Sequence, residues 1–548
     1  MAPASPESVL APFSGAPFAL ADGTVTPSTA PDGYFMDLRS TRGFAERRKV
    51  DLVIASGRQH QLYVARGAGG EYSLLPIIWC TKTREWIPTS LYQSGALDPG
   101  AHDYWARFDM TGGCFSCHLS QAYRATAPVE TRWADLRIDC ESCHGPAREH
   151  IRRRRAAIAD GTLRDLRALG GAEEARVCGQ CHGFQLKPYV FPRAPDGLPE
   201  IFVTSLINDA LRADGTQRLT SYQYPGHVLS QCFQKGSLAC KSCHEPHGLG
   251  ARDFVGESAA GAESNRQCTI CHRDRAGAAE LARHSHHAAS IRCVDCHMAY
   301  SFIGDDDTRR QRTSDHSISI PRPRETLELG LPNACNTCHR DRTPDWALGA
   351  LARFRQARAG GVREWVRTIA LARKREPGST ERLLALLDEP SAYLRASALD
   401  LLVIQPPDAR VAPRVERFAS DADPQLRSIA IRALDHHDAQ NRERWIRLGL
   451  ADPHPFVRLE TFSMVREPRL LPPEAIERNL ADTLAYVQPP TSGLVHLITV
   501  RHRRGEIPQA LALADLLAKI ALPHERDGLH LPDVRARLER ERAGTIAR

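Results

Sequence analysis

The sequence predicts a mixed fold in three parts: a small β-rich N-terminal domain (residues 1–103), a mainly α-helical and irregular middle domain (104–345), and a C-terminal α-solenoid (346–548). Three observations carry that expectation. β-Branched and alternating runs cluster in the first 80 residues, seven copies of one cysteine–histidine motif crowd a middle stretch thin in apolar periodicity, and a unit of 31 or 32 residues recurs near the C-terminus. A length of 548 residues suits about three domains.

In the N-terminal part, residues 49–56, 60–66 and 71–80 read as strands, with a glycine-rich loop at 67–70 suited to a hairpin. Asp22-Gly23 and Asp32-Gly33 are further turn signals. His60 reads as a packing residue rather than a ligand.

The middle part contains Cys114-Phe-Ser-Cys117-His118, Cys140-Glu-Ser-Cys143-His144, Cys178-Gly-Gln-Cys181-His182, Cys240-Lys-Ser-Cys243-His244, Cys268-Thr-Ile-Cys271-His272, Cys293-Val-Asp-Cys296-His297 and Cys335-Asn-Thr-Cys338-His339. In Cys-x-x-Cys-His the two thiols form thioethers to haem vinyl groups and the histidine becomes the proximal iron ligand. Zinc ribbons also use Cys-x-x-Cys but place no demand on the next residue. Histidine is 23 of 548 residues, so chance would set it there about once in 24 motifs, against seven of seven. The expectation is seven covalently attached haem c groups, packed densely enough that the segment cannot fold without them.

Each iron has a second face. Candidate distal ligands are His102, His150, His227, His247, His284, His286, His287 and His316. His150 and His247 lie too close in sequence to their own motifs to cross the same porphyrin, so each would cap a neighbouring haem. Met298, adjacent to His297, reads as packing.

The formal charge of +7 does not indicate nucleic-acid binding, because haem propionates would offset it. Arginine makes up 65 of the 72 basic residues and is the better propionate partner. No apolar run is long enough to span a membrane. Haem attachment implies export to the periplasm or beyond, although residues 1–20 do not read as a signal peptide. Cys80 and Cys232 lie outside the motifs and are candidates for a disulfide there.

Cys140-Glu-Ser-Cys-His144-Gly-Pro-Ala-Arg-Glu-His150, with Cys293-Val-Asp-Cys-His-Met298 and the later Asp315-His316-Ser317, resembles the multihaem cytochromes of nitrogen metabolism. That group includes the tetrahaem carrier of nitrification, octahaem hydroxylamine oxidoreductase and pentahaem nitrite reductase. The resemblance covers roughly residues 110–340, and implies haems in close stacked pairs with His150 and His316 as distal ligands. Two departures stand out: no motif ends in lysine, as the catalytic motif of the nitrite reductases does, and no residue is assignable as the crosslinking tyrosine of the hydroxylamine oxidoreductases.

In the C-terminal part, Arg395, Arg427 and Arg458 each follow an acidic, proline-containing turn and open a helical pattern, 32 and 31 residues apart. This is similar to HEAT repeats, and stacked repeats commonly present a surface to a protein partner. His436, His437 and His454 read as solvated. Because repeats contact mainly their neighbours, removing 346–548 would leave the haem region intact.

Together these readings predict an electron-transfer protein working with redox partner proteins. Two others remain open: an oxidoreductase acting on a small nitrogen or sulfur compound at a haem with an open axial position, and a redox scaffold recruiting a partner through its repeats. The haem count is tested by intact mass and pyridine haemochrome stoichiometry; seven haems per chain are expected, and a colourless zinc-loaded protein would refute the assignment.

Overall fold

The computed structural model describes residues 1–544 except 42, 55–59, 68–69, 90–109, 111–113, 121–122, 127–128, 159–160, 184–203, 208–210, 219–221, 237, 245, 248–264, 289–290, 303–311, 354–360, 466, 485–490 and 522–528. His102 therefore lies outside the described residues.

Ten strands form the N-terminal part: β1 (Ala2–Pro3), β2 (Phe18–Leu20), β3 (Gly23–Ala30), β4 (Gly33–Ser40), β5 (Ala45–Lys49), β6 (Leu52–Ile54), β7 (His60–Arg66), β8 (Tyr72–Leu74), β9 (Ile77–Cys80) and β10 (Glu85–Pro88). β2-β3-β4-β5 is an antiparallel meander whose first two turns fall at Asp22 and Asp32. Gly33, at φ +134°, takes a backbone conformation that side chains disfavour. The second sheet runs β1-β6-β7-β9-β10, with β8 also on β7. The run expected as one strand over 71–80 is split because Pro76, without an N–H, cannot continue a ladder. β8 pairs with one end of β7 (Arg66↔Tyr72) and β9 with the other (His60↔Cys80).

Alternation along β7 explains why this strand is apolar on both sides. Tyr63 and Ala65 join Val25, Met36 and Leu38 of the meander in one core, while Leu62 and Val64 face Phe115 and Leu119 of the first motif helix. The central sheet is thus a wall, with the meander on one face and the first motif on the other.

Among the described residues from 114 to 344 the secondary structure is sparse: mostly short helices, two small hairpins and loops. Beyond it, helices pack in succession: Glu364–Arg373, Ser379–Leu386, Ala392–Leu402, Val411–Val415, Pro424–His437, Arg442–Leu450, Pro455–Met464, Pro473–Leu484, Thr491–Arg503, Ile507–Ile520 and Leu531–Arg542. The recurring arginines share one structural task. Arg395 donates to the Glu389 and Pro390 carbonyls (2.7 and 2.9 Å), Arg427 to Asp421 and Ala422 (2.8 and 3.2 Å), and Arg458 to Asp452 and Pro453 (2.8 and 2.7 Å). Each thereby ties down the turn before its own helix. Arg427 also pairs with Asp452, and Arg458 with Asp482, at 2.8 and 2.7 Å, linking each unit to the next. Both pairs are largely buried and bidentate, the geometry in which arginine–carboxylate contacts are strong.

The three histidines expected to be solvated are not. His437 is buried between the Leu402 carbonyl (2.8 Å) and the Asp408 N–H (3.0 Å), and His436 bonds the Gln405 carbonyl at 2.8 Å. The Nδ1 of His454 caps the next helix by accepting from the Phe456 N–H at 3.1 Å.

The apolar core crosses position 345. Leu206, Ile207, Leu211, Val228 and Leu331 belong to the same cluster as the helices from 366 to 457. The backbone of 204–207 has its polar groups satisfied by helix side chains: the Tyr393 hydroxyl donates to the Ser205 carbonyl (2.5 Å), the Gln425 amide to Thr204 (2.9 Å), and Ser397 accepts from Ile207 (3.2 Å). Arg363 adds a buried bridge, 2.7 Å from Glu325 and 3.7 Å from Asp214. Removing 346–548 is therefore expected to damage the haem region, contrary to the sequence reading. Loss of Arg363 alone strands two buried carboxylates, a cost of about 3–5 kcal/mol. A chain ending at 345 should give aggregated, haem-poor protein, measured as haem per polypeptide after size exclusion; a monodisperse, fully loaded fragment would show the helices to be separable.

Candidate functional site: a chain of Cys-x-x-Cys-His turns

Each motif is a single helical turn. The histidine N–H bonds the carbonyl of the first cysteine at 2.9 Å in the motifs of His144, His244, His272 and His339, which draws both sulfurs and the imidazole together. Side-chain acceptors start several of these turns. Asp139 accepts from the Ser142 N–H and hydroxyl (3.0 and 2.9 Å), Asn333 from the Asn336 N–H (3.2 Å), and Asn265 from the Cys293 N–H (2.8 Å).

Four proximal histidines face a second imidazole. His144 and His247 have ring centres 6.0 Å apart at 11°, His244 and His316 6.3 Å at 21°, His284 and His297 6.1 Å at 9°, and His287 and His339 6.0 Å at 45°. Two metal–imidazole bonds of about 2 Å, with each ring centre about 1.1 Å behind its nitrogen, require roughly 6.2 Å. The spacing thus fits one iron between each pair. The protonation pattern fits too. Nδ1 lies near the carbonyl of Arg164 for His144 (2.9 Å), Ser319 for His297 (3.0 Å), Ser314 for His316 (3.0 Å) and Ser285 for His287 (2.6 Å). An Nδ1–H donated to a carbonyl leaves the Nε2 lone pair for metal.

His316 is fixed by its turn, in which Asp315 accepts from the Ser317 N–H and hydroxyl at 2.8 and 2.7 Å. Burial pushes the Asp315 carboxyl up to about 6 and His316 down to about 4, keeping that imidazole neutral. His227 sits on the helix Tyr224–Leu229, buried, with its Nε2 lacking a hydrogen-bond partner among the described residues. An orphaned buried nitrogen is costly unless something binds it, as a metal would. The approach of this helix to the His316 turn depends on Gly226, where a Cβ would meet the Ser317 nitrogen at 2.9 Å.

His150 lies on the helix Arg148–Arg155, and His286 ends the helix Ala278–Ser285 in a left-handed conformation. Among the described residues, no histidine stands opposite His118, His182 or His272 at the distance seen in the four pairs.

The motifs touch one another. Cys117 lies 3.7 Å from the Gln180 carbonyl, and Gln180 donates to the Ser142 carbonyl at 2.9 Å, joining the third motif to the first and second. The sulfurs of Cys178 and Cys240 approach within 4.8 Å, joining third and fourth. Gln267 donates to the Cys243 carbonyl at 3.4 Å, the Cys268 and Cys293 thiols lie close enough to shift each other's ionisation, and the helices Cys293–His297 and Ala334–Cys338 pack together. Glu174 completes a three-residue cluster with Cys178 and Cys240 that could hold a metal ion. It draws one sulfur from each of two motifs and leaves out Cys181 and Cys243, so it is not a zinc ribbon, and thioether formation would consume both thiols.

The Cys80–Cys232 disulfide is not formed. Cys80 is fully buried at the end of β9 in the central sheet, whereas Cys232 lies among the motif cysteines, close enough to Cys243 and Cys271 to feel their charge.

Cytochrome c nitrite reductase subunit NrfA of Nitratidesulfovibrio vulgaris strain Hildenborough is 25% identical over 227 residues, 39% of this chain and 34% of that protein. The chain thus spans about a third of that relative's length. No family model and no solved structure matches. The motifs, the facing imidazoles and this similarity together support a multihaem c-type cytochrome with covalently held haem. No helix among the described residues is long and apolar enough to cross a membrane.

The pairing has a direct test. In the haem-loaded protein, His247→Ala is expected to convert one low-spin haem to high-spin, read as a new axial EPR signal from about one haem per chain. His436→Ala, a buttress in the helical region, should convert none.

Proposed function

We propose that this protein is an exported, periplasmic or extracellular, heptahaem c-type cytochrome that passes electrons along its seven motifs between redox partner proteins. The observation that carries the reading is the row of facing imidazoles at 6.0–6.3 Å, set in motifs that touch one another. Bound haem supplies a one-electron iron couple at each motif. The chain's own residues do the rest. At four of the seven motifs a paired histidine would fill the second axial position and so favour electron transfer over substrate binding, backbone carbonyls orient the rings, and the motif contacts keep successive sites close. The helices from 364 onward act as a HEAT-like solenoid, clamped to the haem region through Arg363 and available on its outer surface to a partner protein.

A second reading is favoured by the nitrite reductase similarity: reduction or oxidation of a small nitrogen compound at a haem with one open axial position. Against it, all seven motifs end in histidine. Low-temperature EPR of the oxidised protein separates the two. The electron-carrier reading expects low-spin signals unchanged by nitrite, hydroxylamine or cyanide; a high-spin haem that binds any of them would establish the catalytic one.

A further inference from the structure

A histidine that gives Nε2 to iron carries its proton on Nδ1, and the acceptor of that proton tunes how much electron density the ring donates. For His144, His287, His297 and His316 the acceptor is a peptide carbonyl. His182 differs: its Nδ1 lies 3.0 Å from the side-chain oxygen of Gln223. Gln223 immediately precedes the helix Tyr224–Leu229, which packs against the helix Gly171–His182. The placement matters because the third motif touches three others, through Gln180 to the first and second and through Cys178 to the fourth. We propose that Gln223 is a positioning residue which, through its hydrogen bond to His182, sets the reduction potential of the third haem at the point where the first, second and fourth motifs converge.

The inference rests on the multihaem reading. A neutral amide is an acceptor of intermediate strength. Replacing it with leucine removes the acceptor, weakens ring donation and favours the ferrous state. Replacing it with glutamate strengthens donation and favours the ferric state.

The test is an EPR-monitored redox titration of full-length holoprotein carrying Gln223→Leu or Gln223→Glu. In each variant a single haem is expected to move, upward in Gln223→Leu and downward in Gln223→Glu, by about tenfold in its reduction equilibrium, or about 59 mV for one electron. A purely structural role would not give opposite signs. Unchanged potentials in both variants, or shifts in the same direction, overturn the inference while the haem assignment stands. Peptide mass mapping of the wild-type protein separates the other failure: a Cys178–Cys181 peptide without haem would overturn the assignment and the inference with it.

Discussion

Two imidazoles can share one iron only if their ring centres stand about 6 Å apart, and the middle of this chain is organised by that distance. Among the described residues between 137 and 344, only a few side chains enter the apolar clusters, and those that do, such as Leu206, Ile207 and Val228, are claimed by the neighbouring helical region. Apart from the third motif, which ends the helix Gly171–His182, the motif helices are about one turn long, too short to persist alone. Covalently held haem accounts for what then keeps them in place. It would bring apolar surface, two thioether tethers and a bond from iron to the motif histidine to each turn, which couples cofactor binding to folding.

The ends of the molecule are built on ordinary packing and hold the middle between them. On one side the central β-sheet offers Leu62, Val64 and Ile78 to Phe115 and Leu119, so the first motif helix lies on a protein wall. On the other, side chains of the long helices bond the backbone of 204–207, and Arg363 bridges Glu325 and Asp214. These contacts are buried and non-local. They explain why a boundary that looks clean in composition near 345 is crossed by the packing.

What could be read from the sequence was whatever is written locally. The strand His60–Arg66, the turns at Asp22 and Asp32, and all seven motif turns follow from residue type and spacing. Sequence proximity to its own motif also pointed His247 towards a neighbouring haem, and its ring centre lies 6.0 Å from that of His144. The meander strands were missed although their turns were seen, because β3 alternates small polar residues rather than large apolar ones. His436, His437 and His454 were misread because a polar residue with nearby carbonyls to bond looks no different in sequence from a solvated one. The arginine period was visible, but not the carboxylates it reaches, since Asp452 and Asp482 lie 25 and 24 residues beyond their partners. Gln223 gave no signal, being a polar residue outside any motif.

Chain length between motifs also explains the order of their contacts. Closing a short loop costs little entropy, so motifs 28 and 25 residues apart, at His244, His272 and His297, fall against one another in sequence order. The 62 residues between His182 and His244 are different. Among its described residues, Ser205, Ile207 and Leu211 are held against the long helices, and the helix Tyr224–Leu229 follows. The same segment lays Gln223 against His182 and carries His227 inward beside the His316 turn. The longest gap in the motif series is thus the stretch that fastens the helical region to the haem region and equips the third motif.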